Sequence, residues 1–195
     1  MIKKICILGY GSHVKKTIIP ALNLNKNNLK IITTKSDLIR FETFADIKTA
    51  LTKITKDYII FNATPPNFHF ITSKLLLKKG FNLIVEKPIC MNVYQYKILK
   101  KLAIKKKLFL FENMMYFYSK QFLLFKKSLK TKKIKSFEMN FSIPNYSSQS
   151  FRKNFDSNLL LLYDVACYPL SLVSYLGYKM NHEKGRYELT ENPPR

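Results

Sequence analysis

Apolar residues in this chain fall into short dense runs separated by longer stretches where they recur every three or four positions. The dense runs are Lys4–Leu8 (KICIL), Leu29–Thr33 (LKIIT), Tyr58–Asn62 (YIIFN), Asn82–Val85 (NLIV) and Leu108–Phe111 (LFLF). Each has the length and β-branched or aromatic content of a strand buried on both faces. Between them the spacing predicts helices over Val14–Leu24, Asp46–Ile54, Phe68–Lys79 and Val93–Lys106. In Phe68–Lys79 the apolar Phe70, Ile71 and Leu75 separate from Lys74 and Lys78, and Gly80 follows as a helix-ending residue. Strands alternating with helices predict an α/β fold with a doubly wound parallel sheet, of Rossmann type, over residues 1–118.

Beyond residue 118 the alternation stops. A helix is predicted over Ser119–Leu129, then a basic hinge (TKKIK) and a strand pattern with apolar residues at every second position (SFEMNFSI). A polar loop, NYSSQSFRKNFDS, leads into LLLLYDVACYPLSLVSYLGY. Residues 119–180 read as the start of an α+β domain, incomplete in this chain, and 181–195 as a tail without apolar period. The long apolar stretch has the length of a bilayer span, about 20 residues. A midspan Asp164 would cost about 2.5–3.5 kcal/mol in a membrane, and Pro169 removes a backbone donor. A buried helix is the better reading.

Composition adds little to this picture. A formal net charge of +22 invites a nucleic-acid reading. All but four of the 34 basic residues are Lys, however, and they are spread along the chain. Lys lacks the forked donor geometry that grips phosphates and bases, so nucleic acid is not the expected partner. Cys6, Cys90 and Cys167 are odd in number and far apart, as are His13, His69 and His182. Neither set has metal-ligand spacing, and the cysteines fit a reducing, cytoplasmic setting.

The candidate chemistry lies where strands end. The first strand runs into GYGSHV, with Gly9 and Gly11 followed by Ser12, His13 and Val14. Glycines there permit a tight turn and close approach of backbone to a pyrophosphate at a helix N-terminus. Val14 stands where a dinucleotide fingerprint has its third small residue, and should push helix and strand slightly apart. The second strand ends in Thr34, Lys35 and Ser36. A basic residue there neutralises a 2′-phosphate, which favours NADP over NAD, with Asp37 as the rival that would favour NAD. The third predicted strand ends in Ala63, Thr64 and Pro65, with Asn67 and His69 just beyond, and consecutive prolines force a sharp turn. His69 reads equally as a capping or core histidine. The fourth ends in Glu86, Lys87 and Pro88. A Lys beside a bound cofactor can stabilise negative charge as a proton leaves.

Together, ILGYGSHVKKTIIPAL, FNATPPNFHF, NLIVEKPICMN and YDVACYP resemble the glucose–fructose oxidoreductase / inositol dehydrogenase (Gfo/Idh/MocA) family over residues 1 to about 178. The resemblance implies a Rossmann domain followed by a domain built on a large, mostly antiparallel sheet. It also implies hydride transfer between a nicotinamide cofactor and a secondary alcohol of a sugar or cyclitol. The family's EKP lysine falls on Lys87. Its late aspartate and the residue four further on fall on Asp164 and Tyr168, which a helix would place on one face. Tyr168 would serve as acid or base if Lys87 lowers its pKa, ordinarily about 10. The chain is shorter than the family's usual length, so most of the second domain's sheet is expected to be missing. Strand two also leaves little room for the usual helix before the next strand. Such a chain would be a fragment, a frameshifted product with an alien tail, or a reduced protein relying on partner chains, and the alternative to an active enzyme is a noncatalytic dinucleotide-binding relative.

Overall fold

The computed structural model describes residues 4–35, 40–129, 136, 138, 139 and 158–177. Six strands form one parallel sheet: β1 (Ile5–Leu8), β2 (Leu29–Ile32), β3 (Glu42–Phe44), β4 (Ile59–Asn62), β5 (Asn82–Glu86) and β6 (Leu110–Asn113). Their order is β3-β2-β1-β4-β5-β6. The chain therefore reverses direction across the sheet at β1, between β2 and β4. That reversal opens a crevice at the carboxyl ends of the central strands, where open α/β sheets bind ligands.

Alternate side chains of the central strands feed two cores. Cys6, Leu8, Ile60, Leu83 and Val85 pack on one side with Ala50, Leu76, Leu77, Leu99 and Ala103. These come from α2 (Ile47–Lys53), α3 (Pro66–Lys78) and α4 (Val93–Lys106). Ile5, Ile7, Ile31 and Phe61 face the other side, against Val14 and Ile18. Burial on both faces explains why these strands read as unbroken apolar runs rather than as alternation.

Two features depart from the sequence expectation. The helix expected over 14–24 is a single π turn, Val14–Ile18, continued by α1 (Ile19–Leu22) and closed by Asn23 at φ 45°. Pro20 gives the reason: its ring would meet the carbonyl of Lys16 in a straight α-helix, and a wider turn avoids the collision. The segment after β2 also has more room than expected, because it holds both β3 and α2. β3 pairs with β2 through Lys30↔Glu42 to Ile32↔Phe44. It escapes sequence detection because it is three residues long, with only Phe44 buried.

α3 ends as its glycine predicts. Gly80 adopts φ 83°, its N–H donates to Leu77 O at 3.0 Å, and Phe81 N–H donates to Leu76 O at 3.1 Å. This paired closure satisfies two end carbonyls and turns Phe81 into the core. After β6, a 3-10 turn (Met115–Tyr118) leads to α5 (Lys120–Leu129). The apolar stretch forms α6 (Asn158–Tyr175), which contains Pro169. Among the described residues no helix is long and apolar enough to cross a membrane. Most of the SFEMNFSI strand pattern, the polar loop before α6 and the 181–195 segment lie outside the described residues, as do Ser36 and Asp37.

Candidate active site

The carboxyl ends of β1, β4 and β5 bring three turns side by side. Gly9 leaves β1 at φ 103°, and a Cβ there would lie 2.6 Å from the Ala63 carbonyl oxygen. Only glycine lets the β1 and β4 turns pack this closely. Gly9 N–H donates to Ile32 O at 2.9 Å and Ala63 N–H to Leu8 O at 2.8 Å, so both turns continue the sheet's ladder. A Cβ on Gly11, by contrast, would meet nothing within 4 Å. Gly11, Ser12 and His13 are exposed at the mouth of the crevice. That open backbone fits the diphosphate of a dinucleotide.

Further out, Thr34 and Lys35 are exposed beyond β2, where Lys35 N–H donates to Thr33 Oγ1 at 3.1 Å. A cavity of about 380 Å³ opens beside the glycine turn, lined by Tyr10, Lys15, Ile19, Pro20, Arg40 and Phe41. Lys15 lies over the Tyr10 ring and Arg40 over Phe41.

On the β4 side, Ala63 and Thr64 are half-buried, while Pro65 and Asn67 are exposed. Asn62 is buried and anchors this turn. Its Oδ1 accepts from Thr64 Oγ1 at 2.8 Å, while its Nδ2 donates to Thr72 Oγ1 at 2.7 Å and Ser73 Oγ at 3.0 Å. Sequence reasoning passed over Asn62; the signal was an amide closing an otherwise apolar strand. His69, on α3, is fully buried rather than presented to the crevice. Its ring nitrogens lie 2.7 Å from the Pro88 and Thr64 carbonyl oxygens. Burial pulls its pKa down, and this outweighs the two carbonyls, which pull it up.

On the β5 side, Glu86 Oε1 accepts from Asn113 Nδ2 at 2.7 Å and stands 3.7 Å from His13 Nε2. Lys87 follows, and the Lys87–Pro88 peptide is cis. Lys87 Nζ donates to Asp164 Oδ1 at 2.5 Å and to the Asp164 carbonyl at 2.8 Å. The same ammonium lies 4.8 Å from the Tyr168 ring centroid. Asp164 and Tyr168 thus share the face of α6 that meets Lys87, while Tyr116 Oη pairs with Ser171 Oγ at 2.7 Å and its ring packs on Tyr168.

The electrostatics follow from this packing. Burial pushes Lys87 down, but the hydrogen bond and charge of Asp164 overcome it, so its pKa is raised. Burial raises the Tyr168 hydroxyl, and the Lys87 charge only partly offsets the rise. The lowering expected of Lys87 is therefore present but outweighed. Glu112, also passed over at the sequence level, accepts from Ile89 N–H at 2.7 Å, and burial raises its carboxyl pKa. Burial pushes the Cys6 thiol up to about 12 and the Cys167 thiol up to about 11. Among the described residues no group of His, Cys, Asp or Glu could hold a metal ion.

The fold agrees with the comparisons. The family model of the Gfo/Idh/MocA oxidoreductases, described as an oxidoreductase family with an NAD-binding Rossmann fold, matches residues 3–114. No curated protein sequence matches the chain. Among solved structures, a D-galactose-1-dehydrogenase protein from Rhizobium etli is similar with a TM-score of 0.60 at 20% identity, over 69% of this chain and 44% of that one. A 3-ketoreductase from Actinomadura kijaniata, solved with NADP, gives 0.56 at 18%, over 65% and 43%. An oxidoreductase from Bacillus cereus gives 0.57 at 21%, over 65% and 39%. At these identities the likeness is one of fold, and the chain spans about two fifths of the length of such structures.

Proposed function

The chain belongs to the Gfo/Idh/MocA family of oxidoreductases, and from that premise we propose that it transfers a hydride between NADP and a sugar-like secondary alcohol or its ketone. The observation that carries the reading is the convergence of Lys87, Asp164 and Tyr168 beside the turns at the ends of β1 and β4. The backbone from Gly9 to His13 would hold the diphosphate, and the turn around Ala63, Thr64, Pro65 and Asn67 would border the cofactor. Lys35, with Lys15 and Arg40 around the neighbouring cavity, supports NADP over NAD. When bound, the nicotinamide supplies or accepts the hydride.

The residues of this chain would manage the proton. Burial keeps the Tyr168 hydroxyl protonated at neutral pH, the form that donates to a carbonyl oxygen as negative charge develops on it. Lys87, held protonated by Asp164, would stabilise that charge from the same side. Asp164 fixes the direction of the ammonium through two contacts made by one residue. Ketone reduction is the direction this protonation pattern suits.

A second reading is dinucleotide binding without turnover. It is favoured by the span of the family match, which holds Lys87 but neither Asp164 nor Tyr168. Oxidation of NADPH, followed with a panel of keto-sugars, separates the two. The first reading expects turnover that Lys87→Met and Tyr168→Phe each lower by about 10²–10⁴-fold. Binding of NADPH without turnover on the panel would leave only the second.

A further inference from the structure

We propose that Glu112 is a positioning residue for Lys87: from the end of β6 it fixes the backbone just beyond Lys87 and so sets where the ammonium meets Asp164. Strand geometry makes a carboxyl at this position conspicuous. Side chains alternate faces along a strand, so Leu110 and Glu112 share one face of β6, and Leu110 packs against the core there. Glu112 is also the register partner of Val85, which is fully buried. An apolar side chain would suit that place, whereas a buried carboxyl is costly unless it is hydrogen-bonded. The bond it makes is to the Lys87 turn: Glu112 Oε1 accepts from Ile89 N–H at 2.7 Å. Among the described residues that N–H has no backbone acceptor, so the donor and the carboxyl satisfy each other.

The next residue of β6 acts on the other side of Lys87. Asn113 is the register partner of Glu86 and donates from Nδ2 to Glu86 Oε1 at 2.7 Å. Successive residues of one strand point to opposite faces of the sheet. One holds the side chain that precedes Lys87, and the other holds the backbone two residues beyond Lys87. From a segment tied in this way, Lys87 Nζ reaches Asp164 Oδ1 and the Asp164 carbonyl at 2.5 and 2.8 Å. The contribution of Glu112 is geometric rather than electrostatic, because any well-placed oxygen could accept the Ile89 N–H. This rests on the reading of Lys87 given above, but the setting of Lys87 can be measured without turnover.

Two variants separate geometry from charge. Glu112→Gln removes the charge but keeps an oxygen that can accept from Ile89 N–H, while Glu112→Leu keeps the bulk and removes the acceptor. The readout is the rate at which an acylating reagent modifies each lysine of the folded protein at mildly alkaline pH, resolved by peptide mass spectrometry. For Glu112→Leu we expect Lys87 modification to rise by about threefold or more, as the loss of one hydrogen bond implies, with other lysines unchanged. For Glu112→Gln we expect Lys87 to react near its native rate. An equal rise in both variants would assign the effect to the charge of Glu112 and overturn the proposal. No rise in either would overturn it too, as would a uniform rise at all lysines, which would mean that Glu112 serves the fold as a whole. In the native protein the Ile89 amide should exchange its hydrogen slowly, and exchange at the rate of an unbonded amide would overturn the proposal without any variant. If native protein fails to bind NADPH, the function proposed above fails, while Lys87 acylation and Ile89 exchange still decide the role of Glu112.

Discussion

At the scale of single residues, Gly9 and Lys87 carry the most specific expectations. An alanine at Gly9 would face the Ala63 carbonyl at 2.6 Å from a φ of 103°. Gly9→Ala should cost about 1–3 kcal/mol through backbone strain, and it should weaken dinucleotide binding because the two turns move apart. Urea unfolding and NADPH titration check both effects. Retention of native stability and affinity would show that the close approach is unimportant. For Lys87 the sign is set by its raised pKa. Its pairing with Asp164 contributes fully below the unfolded lysine pKa of about 10.4 and is lost as pH rises through the still higher folded value. Asp164→Ala should therefore lower stability by about 2 kcal/mol at neutral pH. The gap to native protein should narrow at strongly alkaline pH, as seen by denaturant unfolding across the range. A gap that stays constant would mean that Asp164 acts through packing. Gly9, Thr64 and Lys87 were legible in the sequence because each follows a strand and keeps company with glycine or proline. Asn62, His69 and Glu112 acquire their meaning from partners 2 to 23 positions away, which no local pattern displays. The meeting of Lys87 with Asp164 and Tyr168, 77 and 81 positions apart, was implied only by the family resemblance.

At the scale of elements, apolar runs predicted five of the six strands; the central β1, β2 and β4 are largely buried on both faces and so apolar almost throughout. β3 is an edge strand with Glu42 and Thr43 exposed, so it lacks that signature. Helix ends were legible where a single residue enforces them. Gly80 is such a residue, and a Cβ there meets nothing nearer than the Lys56 Cε at 4.0 Å. Its φ of 83° is then the whole cost of substitution. Gly80→Ala should destabilise by about 1–2 kcal/mol, and Gly80→Asn by less, since Asn tolerates this conformation. Equal destabilisation by both in chemical denaturation would contradict this account of the α3 end. The π turn at Val14–Ile18 was harder to foresee. Val14 drew attention as a bulky third position, yet it packs into the core at 2% exposure, and Pro20 supplies the irregularity.

At the scale of the whole molecule, the sheet's core is buried, while among the described residues several large apolar side chains on α5 and around β6 are exposed. Leu123, Leu124 and Phe125 of α5 are 41–68% exposed, as are Phe109 at 50% and Tyr118 at 66%. Large apolar side chains left exposed in this number favour association. The chain should therefore associate as concentration rises, and Leu123→Lys with Leu124→Glu should reduce that association in sedimentation velocity. A single monomeric species across the concentration range would contradict it. The high positive charge says less about function than its size suggests, since it is carried by Lys spread over helix surfaces, while the ion pairs that matter here, Lys87–Asp164 above all, lie at the strand ends.

The central claim is that the crevice at the ends of β1, β4 and β5 is a working dinucleotide site. Fluorescence titration of the folded protein with NADPH, and separately with NADH, tests it most directly. Saturable binding with NADPH preferred, weakened by Gly9→Ala and with the preference reduced by Lys35→Ala, is the predicted result. Binding of neither nucleotide would contradict the claim, leaving the Rossmann architecture without its cofactor.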